Sequence, residues 1–156
     1  MSLENLAALG RLKPHSPAPE EVKRLLDAAS VSVAEAKLAH LSRATRLDLA
    51  YKALMQSALA ALMANGYRPA TSEPGHQQTT VQVLPLTIGL PAEKLKLFDG
   101  FRRARNLSDY TGAPVEERVV AECVEAANRL LKDVRAWLKA SRPQVISSGK
   151  ASKTKN

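Results

Sequence analysis

The sequence predicts an all-α fold, an antiparallel up-and-down helical bundle, on three observations. Hydrophobic residues make up 45% of the 156 residues while aromatics make up 4%, so the core is built from Leu, Ala and Val. Chains rich in Leu and Ala without β-branched runs favour helix. Apolar residues recur at helical spacing in several segments, and those segments are separated by Pro- and Gly-rich breaks. The length fits one domain. Residues 1–142 are read as one helical-bundle domain with its core in 18–142, and residues 143–156 as a basic tail.

Each element follows in order. "SLENLAALGRL" reads as a short helix with Ser2 as N-cap. The three prolines of "KPHSPAP" end it. "APEEVKRLLDAAS" restarts a helix with Pro19 in its first turn, Glu20 and Glu21 at the positive end of the dipole, and Val22, Leu25, Leu26 and Ala29 on its apolar face. Ser32, followed three residues later by Glu35, has the capping-box pattern. It predicts one long helix to Asn65-Gly66, which supply the stop. Some 30 helical residues span about 45 Å.

"HQQTTVQVLPLTIGL" mixes signals. Thr79 to Val83 have strand propensity, but no other segment reads as β and could pair with them. A helix kinked or ended near Pro85 is therefore preferred. "PAEKLKLFDGFRRARNLSDY" is a helix with Pro91 at its first turn, and "TGAP" breaks it. The last helix carries Val119, Val120, Cys123, Ala127, Leu130, Leu131, Val134 and Leu138 as its apolar face and ends at Arg142-Pro143.

No stretch has the roughly 18 uncharged apolar residues of a membrane span, and the first residues lack the pattern of a secretory signal. Cys123 is the only cysteine, which excludes an intrachain disulfide and a cysteine-based zinc cluster. A cytoplasmic protein is expected, with no cofactor. No histidine–carboxylate set has metal-ligand spacing, so no metal is expected. Net charge is +8, of which Arg142, Lys150, Lys153 and Lys155 supply four. The Ser/Lys-rich tail is expected to be disordered. The remaining excess permits contact with nucleic acid without requiring it.

The chemistry concentrates in "FRRARNLSDY", Phe101–Tyr110. At about 100° per residue, Leu97, Phe98, Phe101, Arg105 and Asp109 share one side of the helix, so Arg105 projects into the core stripe. Arg102, Arg103, Asn106 and Tyr110 flank it. A guanidinium is costly to bury unpaired. Arg105 therefore pairs with Asp109 four residues on, or faces a cleft or a subunit interface. In the second case its planar fork suits a phosphate.

"RARNLSDY" resembles the signature of the HEPN superfamily, small helical bundles carrying an Arg, four to six residues, then a His. Here Arg105-Asn106 is followed by Tyr110 in the place of the His. "RLDLAYKALMQSALAALMANGYRP", "GHQQTTVQVLPLTIG" and "LFDGFRRARNLSDY" resemble successive blocks of one HEPN subgroup, from about Arg46 to Tyr110. The resemblance implies a homodimer in which two motifs line one cleft. It implies RNA or nucleotide-phosphate binding in a toxin–antitoxin or nucleotidyltransferase-linked system, with a small nucleotidyltransferase as partner. The ligand-binding residues would be Arg102, Arg103, Arg105, Asn106, Asp109, Tyr110 and His76. The alternatives are a metal-independent ribonuclease of the same fold, with Arg105 and Tyr110 catalytic, or a non-catalytic interaction module. Tyrosine, with a reference pKa near 10, is a poorer base at neutral pH than histidine, which favours binding over hydrolysis. His76 has a second reading, as a hydrogen-bonding residue at a helix start. His40 is read as a surface or interface residue.

Overall fold

The computed structural model describes residues 1–146. They form α1 (Leu3–Ala8), β1 (Leu12–Pro14), α2 (Pro19–Ala36), α3 (Arg43–Ala64), β2 (Tyr67–Pro69), α4 (His76–Gln82), α5 (Leu84–Thr87), α6 (Lys94–Thr111) and α7 (Glu117–Ser141). The chain is mostly helical. Among the described residues no helix is long and apolar enough to cross a membrane.

The central element is α3. Leu47, Ala50, Tyr51, Ala53, Leu54, Ser57, Ala58 and the run Ala60–Ala64 are all buried, so apolar residues surround it rather than forming a stripe. That is the pattern of a helix enclosed by others. Its alanines let neighbouring helices come close. The opposite pattern holds in α7, where Val120, Cys123, Val124, Ala127, Leu130, Leu131, Val134 and Leu138 are buried along one face. Val22, Leu26, Ala29, Val33 and Ala36 of α2 close the other side in the same core.

Two tethers set the relation of α3 to α7. At the start of both helices, Arg46 donates to the Ala36 carbonyl (2.8 Å) and to the Glu117 carboxylate (3.1 Å). At the end of both, Arg142 donates to the side-chain oxygen of Asn65 (3.1 Å), and Asn65 donates to the Ala61 carbonyl (2.8 Å). The two helices therefore run in the same direction.

Several sequence expectations are met. Ser2 caps α1 by accepting from the Asn5 N–H (3.1 Å). Pro19 sits in the first turn of α2. Gly66, at φ 89°, takes the left-handed conformation just past α3, where a side chain would be strained. Residues 76–87 are helical, and Pro85 lies in the first turn of α5, where its missing N–H costs nothing.

Three expectations are corrected. The long helix from Ser32 does not form: α2 runs through Ser32 to Ala36, and residues 37–42 turn the chain. Ser32 is buried inside α2, with its hydroxyl donating to Gln56 across the α2–α3 contact (3.4 Å). The working cap is Ser42, which accepts from the Thr45 N–H (3.1 Å). A hairpin wins because it packs the apolar face of α2 against α3, whereas one straight helix would leave both faces to solvent. The chain also has two strands where none was expected. Leu12–Pro14 pair antiparallel with Tyr67–Pro69, Leu12 opposite Pro69. They are three residues each and contain prolines at ladder ends, where no donor is needed. Finally, residues 143–146 belong with the fold: they make a helical turn, and Val145 joins the main core. The rest of the expected tail, 147–156, lies outside the described residues.

Candidate functional site

The polar helix α6 is held to the body by few anchors. Phe98 and Phe101 are its only deeply buried residues, and Gly112, at φ 71°, closes it with its N–H bonded to the Ser108 carbonyl (2.9 Å). Arg105 stands one turn after Phe101, on the side facing α3. Its guanidinium carbon lies 4.6 Å from the centre of the Tyr51 ring, a cation–π distance. Tyr51 itself is 3% exposed.

Arg105 makes no hydrogen bond and no ion pair among the described residues, and its Nε–H is buried without an acceptor. The expected partner, Asp109, does not form the Arg105 ion pair. Burial of a polar group without a partner is costly, so this atom stands apart in an otherwise well-satisfied structure. Among the described residues Ser57 Oγ is the other buried side-chain atom in that condition.

The charge of Arg105 is felt by three groups on other helices. Burial raises the Asp48 carboxyl above its ordinary value, the negative charge of Asp109 raises it further, and Arg105 lowers it. Burial raises the Tyr51 phenol, against the lowering effect of Arg105 and Arg102. Burial pushes the Cys123 thiol up to about 12, again against Arg105. The site is thus a guanidinium laid on an aromatic ring, with its charge reaching the Asp48 carboxyl and the Cys123 thiol. Asp48, Tyr51 and Cys123 are the residues that sequence reasoning missed. The signal was present in "RLDLAY", where Asp48 and Tyr51 sit one helical turn apart on a helix that is otherwise largely apolar.

The other expected site residues are placed differently. Arg102 donates from Nε to Asp99 (2.8 Å). Gln78 of α4, with its amide oxygen turned toward Arg102, accepts from the same guanidinium at 3.0–3.3 Å. Arg103 meets the second oxygen of Asp99 (2.9 Å) and is otherwise largely in solvent. The Arg102 hydrogen bond, reinforced by both positive charges, holds the Asp99 carboxyl below its usual range. Asn106 is half-buried, Asp109 is exposed, and Tyr110 is 84% exposed. At about 100° per residue, Tyr110 lies some 140° around the helix from Arg105, so one copy of the chain does not bring the two together. His76 donates from Nδ1 to the Glu73 carbonyl (3.3 Å) at the start of α4. This is the hydrogen-bonding role, and no bond joins it to Arg105. His40 is exposed, and His15 lies 3.3 Å from the Glu21 carboxylate.

Two surface clefts lie elsewhere. One, of about 450 Å³, is lined by Pro17, Asn65, Arg142 and Val145. The other, of about 410 Å³, lies between α6 and α7 over Leu90, Phe98 and Leu130. Neither includes Arg105. Among the described residues no group of three His, Cys, Asp or Glu side chains is gathered to hold a metal ion.

No family model, no curated protein and no solved structure matches this chain.

Proposed function

We propose that this chain is an RNA- or nucleotide-phosphate-binding protein, an up-and-down bundle of HEPN type acting as a homodimer in a toxin–antitoxin or nucleotidyltransferase-linked system. One observation carries the binding reading: Arg105 is half-buried, oriented by Tyr51, and left without an acceptor. A fixed guanidinium fork with free donors suits the bidentate geometry of a phosphate. The opposed separation of Arg105 and Tyr110 on α6 supports the dimer, because a ligand touching both would need two copies of the helix.

Binding is favoured over cleavage of RNA. Cleavage through a 2′-hydroxyl needs a proton acceptor near the phosphate. Tyr51, beside Arg105, and Cys123 are both pushed further toward their protonated forms by burial, and Tyr110 is on the other side of the helix. Asp48 and Asp109 oppose an anion, so the affinity set by Arg105 is moderated by its neighbours.

The test is a titration with RNA and with a mononucleotide, run on Arg105→Met and Arg105→Lys. Both variants should stay folded and bind weakly, because a lysine offers a point charge in place of the fork. Full binding by Arg105→Met would refute the reading. Light scattering should report a dimer at micromolar concentration; a monomer that still binds ligand would remove the dimer from the proposal.

A further inference from the structure

The outward face of α6 carries a second arrangement, on the opposite side of the helix from Arg105. Lys96, Arg103 and Tyr110 are spaced by seven residues, so they fall close to one line along the helix, about 10 Å apart at each step. Tyr110 is 84% exposed and Leu107, beside it, is 57% exposed. The Arg103 side chain is 75% exposed, with its Nε 2.9 Å from Asp99. Helix α6 ends at Thr111 and the chain turns away at Gly112 in the left-handed conformation, which leaves the Tyr110 ring in solvent on the last turn.

We propose that this face is a stacking track for single-stranded nucleic acid, with Tyr110 as the platform for a base and Arg103 and Lys96 as phosphate contacts; the proposal rests on the nucleic-acid reading of the Arg105 site. Aromatic rings interleaved with cations are how proteins hold single strands without reading sequence, since every base has a π-face and every nucleotide a phosphate. A duplex keeps its bases stacked on one another and offers no face to Tyr110. A protein partner fits less well. Leu107 and Tyr110 form a small apolar spot at the end of a line that also carries Lys96, Asp99 and Arg103, while stable interfaces cover about 800 Å² per partner and are depleted in Lys and Asp.

The experiment measures anisotropy of a labelled single-stranded RNA of about 12 nucleotides, a length within the usual span of such sites, and of a hairpin duplex of equal length. The full chain is used at low salt. The single strand should bind more tightly than the duplex. Tyr110→Phe should stay within about twofold of wild type because the ring remains, and Tyr110→Ala should lose about tenfold or more, the size of one lost base stack. Arg103→Ala should lower the salt dependence by about one phosphate contact. Equal binding of duplex and single strand, or wild-type affinity in Tyr110→Ala, would overturn the track. So would a change in the sedimentation of ligand-free Tyr110→Ala, which would make the face a contact between copies. Mononucleotide binding that depends on Arg105, with no strand binding, would remove the track and leave the Arg105 site. Strand binding lost in Tyr110→Ala but intact in Arg105→Met would do the reverse.

Discussion

Arg46 and Arg105 are both arginines drawn into the body of the protein, and they are treated in opposite ways. Arg46, whose side chain is 16% exposed, ties three elements together: the carbonyl that ends α2, its own helix α3, and the first residue of α7. Arg105 reaches just as far, from α6 onto Tyr51 of α3, yet meets no acceptor. A folded chain that needs a buried guanidinium for its own architecture satisfies it, as at Arg46. One that presents a guanidinium to something else leaves donors unmet. On the proposed reading, the difference separates a residue that serves the fold from one that serves a ligand.

The largest effect should come from breaking the satisfied side. Arg46→Met removes charged hydrogen bonds to Ala36 and Glu117 at once and should cost about 1.5–3 kcal/mol in a denaturant titration. If Arg46→Met were as stable as wild type, the contrast between the two arginines would collapse. Next in size, Tyr51→Leu removes the ring beneath Arg105 and should cost about 1 kcal/mol or a little more, combining the lost cation–π contact with imperfect repacking. A large loss of ligand affinity should accompany it, because the guanidinium is no longer oriented.

The carboxylates sharpen the same contrast. The folded-state pKa of Asp48 is raised, so its ionised form is less comfortable folded than unfolded. Asp48→Asn should therefore raise the melting temperature slightly at neutral pH, and the gain should disappear as pH falls below the ordinary carboxylate value. The same change should strengthen binding of a phosphate ligand by removing a repelling charge. A variant that weakened binding would mean that Asp48 contacts the ligand. Asp99, whose pKa is lowered, behaves inversely. Its contribution is present above the ordinary carboxylate range and lost as pH falls through the depressed folded value, so Asp99→Asn should destabilise at neutral pH and converge with wild type in acid. The smallest signal is chemical. Cys123 should resist thiol reagents in the native protein and react fully in denaturant, since burial keeps its pKa near 12. Ready native labelling would show that the core around Cys123 opens.

Much of the fold was legible because it is written in local signals. Ser2, Pro19, Gly66 and Gly112 punctuate helices through caps and backbone conformation, which depend on a few neighbouring residues. The break after Ala36 was not legible in that way. The Ser32–Glu35 pair imitates a helix start, and only the packing of α2 on α3, which buries Ser32, decides against it. The two short strands escaped for a related reason. Leu12–Pro14 and Tyr67–Pro69 become strands only because α1 and the end of α3 bring them side by side. At the site, helical periodicity correctly turned Arg105 inward. It could not supply Tyr51 and Cys123, which come from α3 and α7. The Asp109 pairing was plausible at four-residue spacing, but the stacking of Arg105 on Tyr51 carries its guanidinium elsewhere.

The central claim is that Arg105 serves a ligand rather than the fold, and one paired measurement on Arg105→Met tests it. Its thermal melt and its titration with a mononucleotide are compared with those of wild type and Arg46→Met. Methionine keeps the stem volume while removing the unpartnered Nε–H, and the lost cation–π contact is worth about 0.5–1 kcal/mol. The account predicts a melting temperature within a few degrees of wild type and loss of binding. A melting temperature that drops as far as that of Arg46→Met, with binding preserved, would contradict it.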